Sequence, residues 1–225
     1  MLVGLVLWHG NLAVQAATLY IAQGGRDFQN SCEDPAVPGR TLAHAVQEAA
    51  SGDTIHVGYG LFRSVGLTID KDLIIIGTGG EWNPTTVQAA GAPALARDRV
   101  LTIQPGAVVT LENLWIRNGR TPAARRGKDA EGGGVIRNLG MLLLRNCRVS
   151  GGRTGRGGWG PEGGDGGPGG GICNEGELEI LGCLVAANRT GRGGNSFRRD
   201  TPGGTGGAGG GIANFGELTM QHTYV

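Results

Sequence analysis

Short alternating apolar runs recur along the chain, each three to five residues long and rich in Val, Ile, Leu and Thr. Gly, Asp, Asn or Pro bounds them, so each predicts a short β-strand. They occupy residues 18–22, 54–57, 67–69, 73–76, 100–103, 108–111 and 115–116. One stretch has a different period: in residues 41–50, Leu42, Ala45, Val46 and Ala49 fall on a single helical face. Thr41 is placed to cap that helix and Ser51-Gly52 to stop it. A lone amphipathic helix ahead of many strands fits an end cap, covering apolar side chains that would otherwise face water.

The alternation also repeats on a longer scale. Residues 109–114 align with 142–147, 178–183 and 218–223, at steps of 33, 36 and 40 residues. The later copies are preceded by a glycine triplet (132–134, 169–171, 209–211), an aliphatic residue (Val135, Ile172, Ile212) and an Asn-x-Gly turn. Periods of this size mark a solenoid, whose coils bury their apolar faces only against one another. Stacking predicts a side-chain ladder of Asn138, Asn174 and Asn214. Each is expected at a left-handed turn position, with Gly140, Gly176 and Gly216 supplying a second permissive residue.

Composition changes the picture in two respects. Glycine contributes 46 of 225 residues, against a usual share of about 7%. Most of the variation in repeat length falls in residues 151–168 and 189–208, which predicts loops projecting from one side of the stack. Glycine recurs there at every third position, as in Gly157, Gly160, Gly163, Gly166 and Gly169. That register suits a polyproline-type bundle. The run is short and further glycines interrupt it, so the expectation is flexible loop. Charge is also uneven: residues 1–116 carry 6 basic and 10 acidic side chains, residues 117–225 carry 14 and 9. The excess is arginine in the loops, at Arg120, Arg125, Arg126, Arg153, Arg156, Arg189, Arg192, Arg198 and Arg199. Such a rim attracts acidic polysaccharide or a phosphate-rich surface, or simply keeps a loop edge solvated.

Residues 1–17 read as a signal-peptide-like segment, with an apolar run and the small-residue stretch Val14-Gln15-Ala16, although a basic start is missing. Residues 18–225 form the repeat domain, which breaks off inside a repeat at Tyr224-Val225 and so reads as truncated. No other run is long enough for a transmembrane span. In an exported protein the four cysteines Cys32, Cys147, Cys173 and Cys183 could form two disulfides in any of three pairings; Cys147 and Cys183 occupy equivalent repeat positions and are expected instead to stack as buried apolar residues. No spacing indicates a metal site, no cofactor motif is present, and aromatic side chains are too scarce for nucleic acid.

The run from Arg40 to Gly60, Arg-Thr-Leu-Ala-His-Ala-Val-Gln-Glu-Ala-Ala-Ser-Gly-Asp-Thr-Ile-His-Val-Gly-Tyr-Gly, resembles the N-terminal cap of right-handed parallel β-helix proteins of the pectin-lyase-like superfamily. The Gly-Gly-Gly-[Val/Ile] and Asn-x-Gly-x-Leu phrases are similar to those of secreted bacterial β-helices and of polymorphic outer-membrane protein repeats. Here a third glycine replaces the alanine of the latter, and Asn188 lacks their aromatic partner. The resemblance implies an all-β, single-stranded right-handed parallel β-helix with a capping helix, secreted or at a bacterial-type cell surface. It implies a choice of activities too: polysaccharide lyases, glycoside hydrolases, pectin esterases or non-enzymatic adhesins.

A hydrolase needs two carboxylates about 5–9.5 Å apart in one groove. Glu112, Glu177, Glu179 and Glu217 are the acidic candidates in aligned strands, and Glu177 and Glu217 are equivalent positions one coil apart. Outward strand positions are commonly Glu, so the pair is a weak catalytic candidate. The expected function is therefore a non-catalytic, exported β-helix that displays Gly/Arg-rich loops for adhesion or carbohydrate binding. Acidic polysaccharide or a cell-surface glycan is the partner. The alternative is a polysaccharide lyase or glycoside hydrolase of the same fold.

Overall fold

The computed structural model describes residues 15–225, so most of the signal-like segment lies outside the described residues. Three parallel sheets run through the molecule. The longest has seven strands: Thr18–Ile21, Asp53–Val57, Leu73–Gly77, Val108–Glu112, Met141–Arg145, Glu177–Leu181 and Glu217–Gln221. The second has five: Leu67–Ile69, Leu101–Ile103, Ile136–Asn138, Ile172–Asn174 and Ile212–Asn214. The third also has five: Gly60–Arg63, Thr85–Gln88, Leu114–Arg117, Arg148–Ser150 and Leu184–Ala186. From Asp53 onward the chain passes from long sheet to third to second and back, gaining one coil per circuit. The fold is the expected right-handed parallel β-helix.

Registers follow the repeat. Val109, Leu142, Leu178 and Leu218 lie directly over one another, as do Val87, Ile116, Val149 and Val185. Most of these side chains are buried to within a few per cent, and each contributes about 1.5–3 kcal/mol by leaving water. The helix spans Leu42–Glu48; Thr41 Oγ1 accepts the His44 backbone N–H, and Leu42, Ala45 and Val46 join the core. Asp53, nearly buried, ties the helix exit to the first strand by accepting from Ala17 N and Ala50 N, each at 2.7 Å.

Strands that escape the sequence pattern include Gly60–Arg63 and Thr85–Gln88, and the short second-sheet strands that run into the Asn-x-Gly phrases. Thr85–Gln88 is buried on both faces and therefore shows no alternation.

The turn chemistry also differs from expectation. The ladder asparagines end their strands and have no positive φ. Left-handed corners fall instead at Asn113, Asn146, Gly182 and His222, at equivalent positions between the long and third sheets, and at Asn118, Gly151 and Ala187, just after the third sheet. Gly140, Gly176 and Gly216 are needed for close approach rather than for φ: a Cβ on any of them would run into a carbonyl oxygen of the adjacent coil.

Candidate functional site

The glycine-rich segments are ordered, contrary to the flexible-loop expectation. After each of the last three complete third-sheet strands the chain leaves the coil along an outgoing limb (residues 120–126, 153–159, 189–195) and returns along a second (128–134, 162–171, 202–211). The Arg120↔Arg153, Arg153↔Arg189 and Gly160↔Ser196 bridges fix the register of successive limbs. Gly157 N donates to Arg192 O at 2.9 Å and Ala124 N to Arg156 O at 2.8 Å. Outgoing and return limbs are bonded too, Gly164 N to Gly158 O at 2.8 Å and Gly207 N to Gly191 O at 3.0 Å.

Exposure along the limb has a period of three: Arg153, Arg156 and Trp159 are exposed, whereas 154, 155, 157, 158 and 160 are buried. That is the periodicity of a polyproline-type helix, with three residues per turn and an advance of about 3.1 Å each. The buried turns must be glycine, because a Cβ on Gly155, Gly158, Gly191 or Gly194 would overlap a neighbouring backbone carbonyl. Threonines lock the base of each limb pair. Thr121 Oγ1 donates to Glu131 O and accepts from Gly155 N. Thr154 Oγ1 donates to Gly167 O and accepts from Gly191 N.

This packing arranges the arginines. Arg120, Arg153 and Arg189 stack in one column, about 4.8 Å apart from coil to coil. Three residues on, about 9 Å along the limb, the same offsets place Ala123, Arg156 and Arg192 in a second column. All five arginines are exposed. Ion pairs among the described residues join Arg99 to Asp98 and Glu131, Arg137 to Glu175, and His44 to Glu48; none engages a column arginine. Acidic side chains lie instead on the return limbs, where Asp129 and Asp165 form their own ladder by accepting backbone N–H from Asp165 and Thr205. Asp165 is thus engaged in the bundle, and Asn188 likewise bonds Gly152 N and Val149 O.

The asparagines predicted to stack do so through their amides. Asn138 Nδ2 donates to Asn174 Oδ1 at 2.7 Å, and Asn174 Nδ2 to Asn214 Oδ1 at 2.6 Å. Their column continues Ile69 and Ile103, which offer no donor, so Asn138 Oδ1 is buried without a partner. All four cysteines carry free thiols. Cys147 and Cys183 occupy adjacent coils, with Cys147 N donating to Cys183 Sγ at 3.2 Å. The bond to Cys183 and burial push the Cys147 thiol well above its ordinary range. Burial also raises Cys173, to about 11.

The acidic candidates lie on the outward face of the long sheet. Glu177 and Glu217 are in direct register, and Glu179 lies two residues along the same face. Together they border a shallow cleft of about 220 Å³ floored by Met141 and Leu143. All three carboxylates are exposed. Glu112 is apart from them, in register with Arg145.

No family model matches the chain, and no curated protein sequence matches it. Among solved structures it is similar to a rhamnogalacturonan lyase, with a TM-score of 0.48 and 12% identity over 87% of this chain and 44% of that one. It is also similar to a pectin methylesterase from Aspergillus niger, with a TM-score of 0.38 and 12% identity over 95% of this chain and 78% of that one. The chain thus spans less than half the length of the lyase.

Proposed function

We propose that this chain binds an acidic polysaccharide along the outgoing limbs of its glycine-rich bundle, as an exported or cell-surface protein. The observation that carries the reading is the registered array of Arg120, Arg153, Arg156, Arg189 and Arg192, held on ordered backbone without ion-pair partners among the described residues. Stacking like charges is unfavourable unless a counter-charge arrives, and a guanidinium forks well onto a carboxylate. A polymer with regularly spaced carboxylates meets several such forks at once, so modest contacts add by multivalency.

Affinity electrophoresis through gels containing polygalacturonate tests this. Retardation is expected for the native protein and should weaken with salt, since the contacts are solvent-exposed. The double variant Arg153→Glu/Arg189→Glu should lose about tenfold in affinity or more. A native protein that migrates alike with and without polygalacturonate would overturn the proposal.

A second reading, catalysis on such a chain, is favoured by the Glu177–Glu217 register. Neighbouring strands put the two carboxylates near 5 Å apart, in the range of glycoside hydrolases that retain configuration. Release of reducing ends or unsaturated uronates that is abolished by Glu177→Gln would establish it. Turnover that survives Glu177→Gln would remove Glu177 from any such role.

A further inference from the structure

At the tip of the limbs the columns leave an opening. In the column Ala123–Arg156–Arg192 the first coil carries alanine where the next two carry arginine, so one flank of Arg156 has no long neighbour beside it. In the next column, three residues on, Arg126, Trp159 and Asn195 stack. Trp159 meets Phe197 edge-to-face, with ring centres 5.7 Å apart. The Arg126 guanidinium lies 5.0 Å from the Trp159 ring centre and 5.1 Å from that of Phe197. The rings are nevertheless 58% and 50% exposed, a large apolar area to leave in water at the end of a glycine loop. Together with Ala123, Arg156 and Asn195 they wall a cleft of about 400 Å³.

Arg156 is pre-positioned within this cleft. Its Nε donates to Gly193 O at 3.2 Å and its Nη2 to Asn195 Oδ1 at 2.8 Å, which leaves the remaining guanidinium N–H groups for a ligand. An indole face is electron-rich and receives the C–H edges of a flat, saturated ring. A fixed guanidinium beside it receives a carboxylate with little ordering cost.

From this geometry we propose that the cleft is a subsite for one uronate residue, its ring against Trp159 and its carboxylate on Arg156. The proposal rests on the polysaccharide reading above and adds to it a position at the tip of the second column, where Arg156 and Trp159 together grip a single sugar unit. Loop aromatics that served only to hold the tip together would show no ligand dependence.

Titration calorimetry with trigalacturonate and with polygalacturonate separates the two levels. Trp159→Ala should weaken trigalacturonate about tenfold and polygalacturonate much less, while Trp159→Phe, which keeps a ring, should stay within about threefold of native. Arg153→Glu/Arg189→Glu should do the reverse, weakening the polymer and sparing the trimer. If Trp159→Ala leaves trigalacturonate binding unchanged while polygalacturonate still binds natively, the subsite is refuted and the polysaccharide reading survives. If neither uronate binds the native protein, both fall. Tighter binding of oligothymidylate than of either uronate would also refute the subsite, since the rings would then be stacking on bases.

Discussion

A single methyl group added at two glycines of the same loop should shift stability in opposite directions. Gly191 is in the outgoing limb of the last loop, and a Cβ there would fall well under 3.0 Å from the Gly155 carbonyl oxygen of the coil below. That oxygen belongs to backbone and cannot rotate away. Gly191→Ala must therefore part the limbs, straining Gly191 N to Thr154 Oγ1 (2.8 Å) and Gly207 N to Gly191 O (3.0 Å). Overpacking plus weakening of these bonds amounts to about 2–4 kcal/mol. Gly206, in the return limb, has only Gly191 O near its Cβ position, at 3.8 Å, which is ordinary contact. Its φ is not positive, so Gly206→Ala should stabilise by about 0.4–1 kcal/mol through the lost freedom of the unfolded chain. For a protein of this size about 2–4 °C accompanies each kcal/mol. Differential scanning calorimetry should thus show Gly191→Ala melting several degrees below native and Gly206→Ala slightly above it. In a flexible loop both substitutions would be nearly silent. Two melting temperatures within a degree of native would refute the packed-limb reasoning.

Two further perturbations probe the stack. Asn174 is fully buried, accepts from Asn138 and donates to Asn214 Oδ1 and Glu217 O. Asn174→Leu should cost about 2–4 kcal/mol in urea denaturation, and Asn174→Asp, which sets a carboxylate against the acceptor oxygens of Gly176, Asn214 and Glu217, should cost more; equal losses would mean the donor direction is unimportant. Cys173 is a buried thiol whose pKa lies at about 11, above the ordinary 9.0. Between those values the unfolded chain loses a proton that the folded chain keeps, so stability falls as pH rises from 9 to 11, by about 1–2 kcal/mol. Cys173→Ala should flatten that decline, and an unchanged slope would contradict the assignment.

Much of the architecture was legible because a coil repeats its constraints. Val109, Leu142, Leu178 and Leu218 share a pattern since each fills the same place in the tube. Thr41 and the apolar face after it announced the helix because capping and amphipathicity are local. The Thr85–Gln88 strand was hidden by burial on both faces, which erases alternation. Left-handed corners and amide ladders both select Asn, so the sequence alone does not tell which of the two the column of Asn138, Asn174 and Asn214 serves. The candidate site was legible only in its parts. Glycine at every third position was visible, but a polyproline-type helix makes no bonds within itself, and its partners are other limbs, from the return limb of the same loop to the loops of the adjacent coils. The missing signal was in the repeat steps: applied to the loops, the offsets of 33 and 36 that align the strands also align Arg120, Arg153 and Arg189. Nothing comparable announced the Trp159–Phe197 cleft, which depends on an alanine at one position of one column.

Residue-resolved amide hydrogen exchange with and without polygalacturonate tests most directly where an acidic chain lies. The limb arginines predict added protection confined to residues 120–126, 153–159 and 189–195. Protection falling instead on Met141–Arg145 and Glu177–Leu181, with the limbs unchanged, would contradict the account and move the site to the acidic face of the long sheet.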